Sequence, residues 1–211
     1  MGSIEFTPAQ TFTFKVVPAI DMYPNANKGG GENVKGVRTL AGNTCDIVAD
    51  SDGSTTFYLK GLDLLTDIGD LSGLVLTTRG GDSSVGASFS ISAAKLKTLK
   101  VGDDDASKVK FNASSLTISS PCLEEINAKN VSTITNNISL LKCPRLKRVF
   151  FEGTNASSVN LPLGAMVEEI SYPDGVQTLF LHSLPMLTDE NVKLSNSSIQ
   201  NITGLYFYNC P

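Results

Sequence analysis

The chain has 211 residues, 41% hydrophobic and 18% charged, a balance that suits a folded protein and excludes a disordered one. Seventeen basic residues against 21 acidic ones leave a net charge of −4, which is no footprint for nucleic acid. The opening MGSIEFTPAQ has no charged region followed by an apolar one, and no run approaches the roughly 18 apolar residues of a membrane span, so neither a conventional export signal nor a span is expected.

Residues 1–90 are expected to form a β-rich segment that covers the N-terminal end of a repeat beginning near residue 91. TFTFKVV alternates apolar and polar at period two, as a half-buried strand does. NANKGGGENVKG, residues 25–36, is polar and glycine-rich and reads as a loop or hinge. Its Lys28 precedes the glycines, whereas a phosphate-cradling loop needs Gly-Lys-Ser/Thr at its end, so no nucleotide site is expected. TCDIVADSDGSTTFYLKGL reads as a hairpin turning at Ser51, Asp52 and Gly53. Its DSDG opens like a calcium loop, but the position of the closing bidentate Glu is not acidic.

From residue 91 to 211 the repeat takes over. LKTLKV (96–101), LEEINA (123–128), LKRVFF (146–151) and VEEISY (167–172) share the frame apolar-x-x-apolar-x-apolar, the strand segment of a leucine-rich-type repeat. Leu99, Ile126, Val149 and Ile170 recur at intervals of 27, 23 and 21, and a second column, Ile118, Leu140, Leu161 and Leu181, keeps step at 22, 21 and 20. Two columns in step predict coils stacked along one axis, because a single coil cannot bury its own apolar side. The charges agree with that stacking. Lys97, Glu124, Lys147 and Glu168 form one row and Thr98, Glu125, Arg148 and Glu169 the next, with signs alternating between neighbouring coils.

The corners NAKN, GTNASS and YPDG carry the Asn, Gly and Asp that tight turns use. Six Asn-x-Ser/Thr matches, at Asn112, Asn130, Asn137, Asn155, Asn196 and Asn201, are read as corner residues rather than as glycosylation sites. After Leu181 the register weakens, with an atypical coil from Leu187 and a final strand around Ile202 to Phe207. Asn209-Cys210-Pro211 sits as Lys142-Cys143-Pro144 does, at the start of a coil, so the last coil is expected to need cover from another subunit or from further chain. Cys45, Cys122, Cys143 and Cys210 show no CxxC pattern and are expected to be buried free thiols.

At CPRLKRV, EGTNASSVNLP and VEEISYPDGVQTLFLHSLP the chain resembles the leucine-rich repeat (BspA-like) proteins of gut Bacteroidetes and of the phages that infect them. The resemblance runs over roughly 62–211, since LLTDIGDLSGL is similar to the segment that leads into such repeats. Two features depart from it: the Pro of Cys-Pro stands ahead of Cys122, and the coil near 190 lacks its central apolar residue. The resemblance implies a mainly β, leucine-rich-repeat-type parallel solenoid. It also implies a non-enzymatic structural or host-recognition component, fibre- or tail-associated, of a Bacteroidetes phage virion. The alternative it implies is a secreted or surface-attached adhesin of a gut Bacteroidetes bacterium, extracellular rather than part of a particle.

No enzyme, cofactor or metal site is expected. His182, the single histidine, reads as a surface position, and Asp103-Asp104-Asp105 as a solvated acidic turn. The pairs Glu124-Glu125 and Glu168-Glu169 face basic residues on adjacent coils, which disfavours a general acid. The candidate site is instead an outward binding surface made of Lys100, Asn127, Lys129, Phe150, Glu152, Tyr206 and Tyr208. Exposed aromatic rings among polar groups suit a protein or glycan ligand. Self-association or contact with structural neighbours is expected at the C-terminal end.

Overall fold

The computed structural model describes residues 66–73, 88–206 and 208 in full, and the backbone of Phe207 and of six further strands. The first eight strands are β1 (Gly2–Thr7), β2 (Gln10–Lys15), β3 (Asp21–Tyr23), β4 (Thr44–Val48), β5 (Thr55–Lys60), β6 (Asp67–Asp70), β7 (Val75–Thr78) and β8 (Ser88–Ser92). The TFTFKVV strand is present as β2. The glycine-rich stretch 25–36 and the Ser51–Gly53 turn lie outside the described residues. β4 and β5 do not form the expected hairpin: β4 pairs with β2, and β5 pairs with β1 and β3. Six residues separate them, too many for the two-residue turn that forces neighbouring strands to pair, so each strand takes partners elsewhere.

The chain then lays down β9 (Thr98–Lys100), β10 (Ser115–Ser119), β11 (Glu125–Asn127), β12 (Asn137–Ser139), β13 (Arg148–Phe150), β14 (Ser158–Asn160), β15 (Glu169–Ser171), β16 (Thr178–His182), β17 (Val192–Lys193), the helix α1 (Asn196–Asn201) and β18 (Gly204–Tyr208). Strands go alternately to two sides. β6, β9, β11, β13, β15 and β17 form one parallel sheet. β8, β10, β12 and β14 form the parallel half of a second sheet, which β1, β5 and β3 extend in antiparallel fashion. The fold is mainly β, and most of its strands lie in parallel sheets.

The interior row fixes this arrangement. Leu99, Ile126, Val149 and Ile170 are successive cross-strand partners, and the last three are fully buried. One residue in three along each short strand points inward, so the strand stays together only by stacking that residue on its neighbours'. The coil near 190 does not lack its member: Val192 pairs with Ile170 and packs against the core. A 3-10 turn at Asp189–Asn191 lengthens the Leu-x-x-Val spacing to five residues, which hides the frame.

The second side is more heavily lined than the single column suggests. Phe89, Leu116, Ile138 and Val159 stack as one buried row, with Ile91 beside Ile118 in the next. The column breaks after Leu161, which is only half-buried. Pro162 has no N–H to donate and β14 stops at three residues, while β16 runs for five. β16 is not hydrogen-bonded to β14; it pairs in parallel with β18, setting Leu181 beside Phe207.

At the corners backbone meets backbone. A Cβ on Gly102 would lie 2.2 Å from the Lys129 carbonyl oxygen, and one on Gly175 would lie 2.3 Å from that of Asn155. Asparagines then tie each corner to the one before: Asn130 Nδ2 donates to the Asp103 carbonyl at 2.9 Å, Asn155 Nδ2 to Ser132 at 2.8 Å, and Asn201 Nδ2 to Asp174 at 2.8 Å. Asn130 does so from φ 60, a conformation Asn tolerates better than most residues. Two of the six expected corner positions are different: Asn137 opens β12 and Asn196 opens α1.

Candidate functional site

The seven residues of the expected surface separate into two groups on different sheets. Lys100, Asn127 and Phe150 are cross-strand neighbours on the six-stranded sheet, with Lys129 and Glu152 just beyond the strand ends. Tyr206 and Tyr208 stand on β18, in the two-stranded sheet.

The first group is held by its own ion pairs. Lys100 Nζ lies 2.8 Å from Asp70 and 2.7 Å from Asp103. Hydrogen bonds to Asp103 and then Asp70 push the Lys100 ammonium up to about 12. Lys129 Nζ lies 2.8 Å from both Asp104 and Glu152 and 5.0 Å from the centre of the Phe150 ring, so it caps that ring as a cation. Its hydrogen bonds to Asp104 and Glu152 raise its pKa further still. Glu152 also accepts from Ser171 Oγ. The acidic turn is bound up in the same network: Asp103 is lowered by Lys100, and Asp105 by the Ser107 hydroxyl and amide that it accepts from.

The charge rows continue on this face. Glu124 lies between Lys97 at 3.9 Å and Lys147 at 3.1 Å, and the Lys147 hydrogen bond draws its carboxyl below the usual range. Arg148 Nε donates to Glu125 at 2.8 Å, and Lys193 pairs with Glu169. Among the described residues no three His, Cys, Asp or Glu side chains come together to hold a metal ion.

The second group is built differently. Strands β16 and β18 run in register, Thr178-Leu-Phe-Leu-His182 beside Gly204-Leu-Tyr-Phe-Tyr208, so alternate residues face outward in pairs. Phe180 stacks on Tyr206 with centroids 4.8 Å apart and planes 11° from parallel; His182 stacks on Tyr208 at 4.7 Å and 16°. These separations match the strand spacing, so the rings stand on edge like books along the sheet. Phe180, Tyr206 and Tyr208 are each more than half exposed. His182 Nδ1 meets the Ser183 hydroxyl at 3.0 Å, which fixes the ring's orientation.

Where β14 and β16 fail to pair, a groove of about 300 Å³ opens beside this ladder. Phe180 and His182 form one wall, and Leu141, Leu163 and Asn160 belong to its lining. Leu141 and Leu163 are 60% and 73% exposed, unusually open for leucine. Among the described residues no acid, lysine or arginine lines the groove.

Residue reasoning found the two tyrosines and missed Phe180, Leu141, Leu163, Asn160 and the partnership of His182. A signal existed: TLFLH and GLYFY are the same alternation 26 residues apart, one coil length. His182 is exposed, as read, and it is also a member of the ladder.

Compared with family models, curated proteins and solved structures, the chain matches none of them.

Proposed function

We propose that the chain is a leucine-rich-repeat-type parallel solenoid that works by binding, as a host-recognition or fibre-associated structural component of a Bacteroidetes phage particle. The stacked register of Leu99, Ile126, Val149, Ile170 and Val192 supports the solenoid, and the sequence resemblance supplies the particle. One observation carries the binding role: the aromatic ladder of β16 and β18, exposed beside an apolar groove. Apolar rings in water cost free energy, and a surface that keeps several together is organised to lose that exposure against a ligand. The charged face of the six-stranded sheet is the weaker candidate, because a ligand there must displace ion pairs already made.

Purified chain labelled on surface lysines should bind intact gut Bacteroidetes cells saturably, and Phe180→Ala with Tyr206→Ala should remove that binding while the melting temperature holds. Absence of saturable binding across a panel of such cells, with the folded protein in hand, would overturn the recognition role.

A further inference from the structure

The groove between β14 and β16 has a shape and chemistry that narrow its occupant. Just ahead of the two strands the Gln177 amide donates to the Ser157 carbonyl at 3.3 Å, while the strands themselves are not paired, and a groove of about 300 Å³ opens there. A volume of that size takes a ring or a side chain. Its described lining has no acid, lysine or arginine, so an ionised ligand group would be desolvated there with nothing to offset the cost.

The walls are of two kinds. Tyr206 covers one face of Phe180, and the groove lies beside that ring with Leu163 and Leu141 also in its lining. At the rim stands Asn160, whose side-chain amide has no hydrogen-bond partner among the described residues. His182, with Nδ1 engaged by Ser183, belongs to the same lining. An apolar slot with a few polar groups at its edge is the general form of a small-ligand site, and 300 Å³ is the lower end of the usual range.

We infer that this groove binds one neutral sugar ring of a glycan. A pyranose has a C–H face that lies against an aromatic ring and hydroxyls around its edge. The C–H face sits on Phe180 and the leucines, and the hydroxyls reach Asn160, whose amide both donates and accepts, and His182. A purely apolar side chain from a protein partner would use the walls and gain nothing from Asn160. The inference deepens the recognition reading and rests on it.

The chain has no tryptophan, so saturation-transfer NMR is the direct readout. The probes are methyl glycosides of glucose, galactose, mannose and N-acetylglucosamine, with sialic acid as the charged control and indole as the apolar one. At least one neutral glycoside should show transfer to its C–H face, with none to sialic acid. Leu163→Lys and Phe180→Ala should each weaken binding at least 10-fold, and Asn160→Ala should weaken the glycoside but not indole. Leu163 and Asn160 are exposed, so their variants keep the fold, checked by circular dichroism. Binding of indole alone, or of glycosides unaffected by Leu163→Lys, overturns the inference. Saturable cell binding that no neutral glycoside competes away overturns the sugar assignment and leaves the recognition role standing; glycoside binding without cell binding does the reverse.

Discussion

At the scale of single residues, the tightest constraints are glycines that a side chain cannot replace. Gly102 and Gly175 have the neighbouring coil's backbone where a Cβ would go, and backbone cannot swing aside as a long side chain does. Gly102→Ala and Gly175→Ala should each cost about 1–3 kcal/mol in urea unfolding, the usual penalty for overpacking. Gly73→Ala, with nothing within 4 Å of its Cβ, should stay within about 0.5 kcal/mol of the parent. Cys143 gives a second test. Burial pushes its thiol from 9.0 up to about 11, and its Sγ meets the Ile118 carbonyl. Between those values the unfolded thiol ionises while the folded one stays protonated, so this contribution to stability is whole below pH 9 and lost as pH rises toward 11. Lys100, raised from 10.5 to about 12, adds to the alkaline loss at higher pH. Stability measured from pH 8 to 11 should therefore fall, and the fall should be shallower in Cys143→Ala, whatever that variant's stability at pH 8. Native Cys143 should also resist iodoacetamide until the protein unfolds, while half-buried Cys122 reacts. Labelling of Cys143 at the rate of Cys122 would contradict its burial.

At the scale of elements, what holds the strands is the interior row and not the charges beside it. Ile126 is fully buried between Leu99 and Val149, and Ile126→Ala should cost about 2–5 kcal/mol. Arg148→Ala removes an exposed pair with Glu125, and its loss should stay below about 1 kcal/mol. A denaturation series that ranked Arg148 above Ile126 would reverse this account. The carboxylates set the acid limit. Asp70 is raised by burial but lowered more by its bonds from Lys100 and Ser72, and Asp103, Asp105 and Glu124 are likewise lowered. Depressed groups contribute above their unfolded values, 3.8 for Asp and 4.5 for Glu, and lose that contribution as pH falls through the folded ones, so stability should decline below about pH 4.5 and not before. These strands were legible because Leu-x-x-Ile-x-Ala forces one inward side per coil. The helix α1 was not, since six residues of Asn, Ser, Ile and Gln carry no apolar face. It is started by its cap: Ser195 Oγ accepts from the Ser198 amide and donates to Asp174 on the preceding corner.

At the scale of the whole molecule, long-range order follows from short-range repetition, and that is why the parallel pairing of Leu99, Ile126, Val149 and Ile170 could be read while the partners of β4 and β5 could not. Leu99 to Ile170 announce their pairing by interval alone. Nothing in TCDIVADSDGSTTFYLKGL announces that its two strands will join different sheets, because antiparallel partners of similar composition compete and the choice is made by distant strands. The site was half legible for a related reason. A single coil shows exposed rings; only the pairing of β16 with β18 makes them a ladder, and only the failure of β14 to pair with β16 makes a groove. Two faces of one molecule then make opposite predictions under the recognition reading. Phe150→Ala removes a ring that Lys129 already caps within an ion-pair network, so cell binding should change by less than about twofold. Phe180→Ala removes the ring that faces the groove, and a loss of about 2 kcal/mol, some 30-fold in affinity, is the scale expected of a central aromatic contact. Titrating cells with parent, Phe150→Ala and Phe180→Ala chains of equal melting temperature decides between the faces. Loss with Phe150→Ala alone would move the site to the six-stranded sheet, where a ligand must compete with Asp70, Asp103 and Glu152 for the same two lysines.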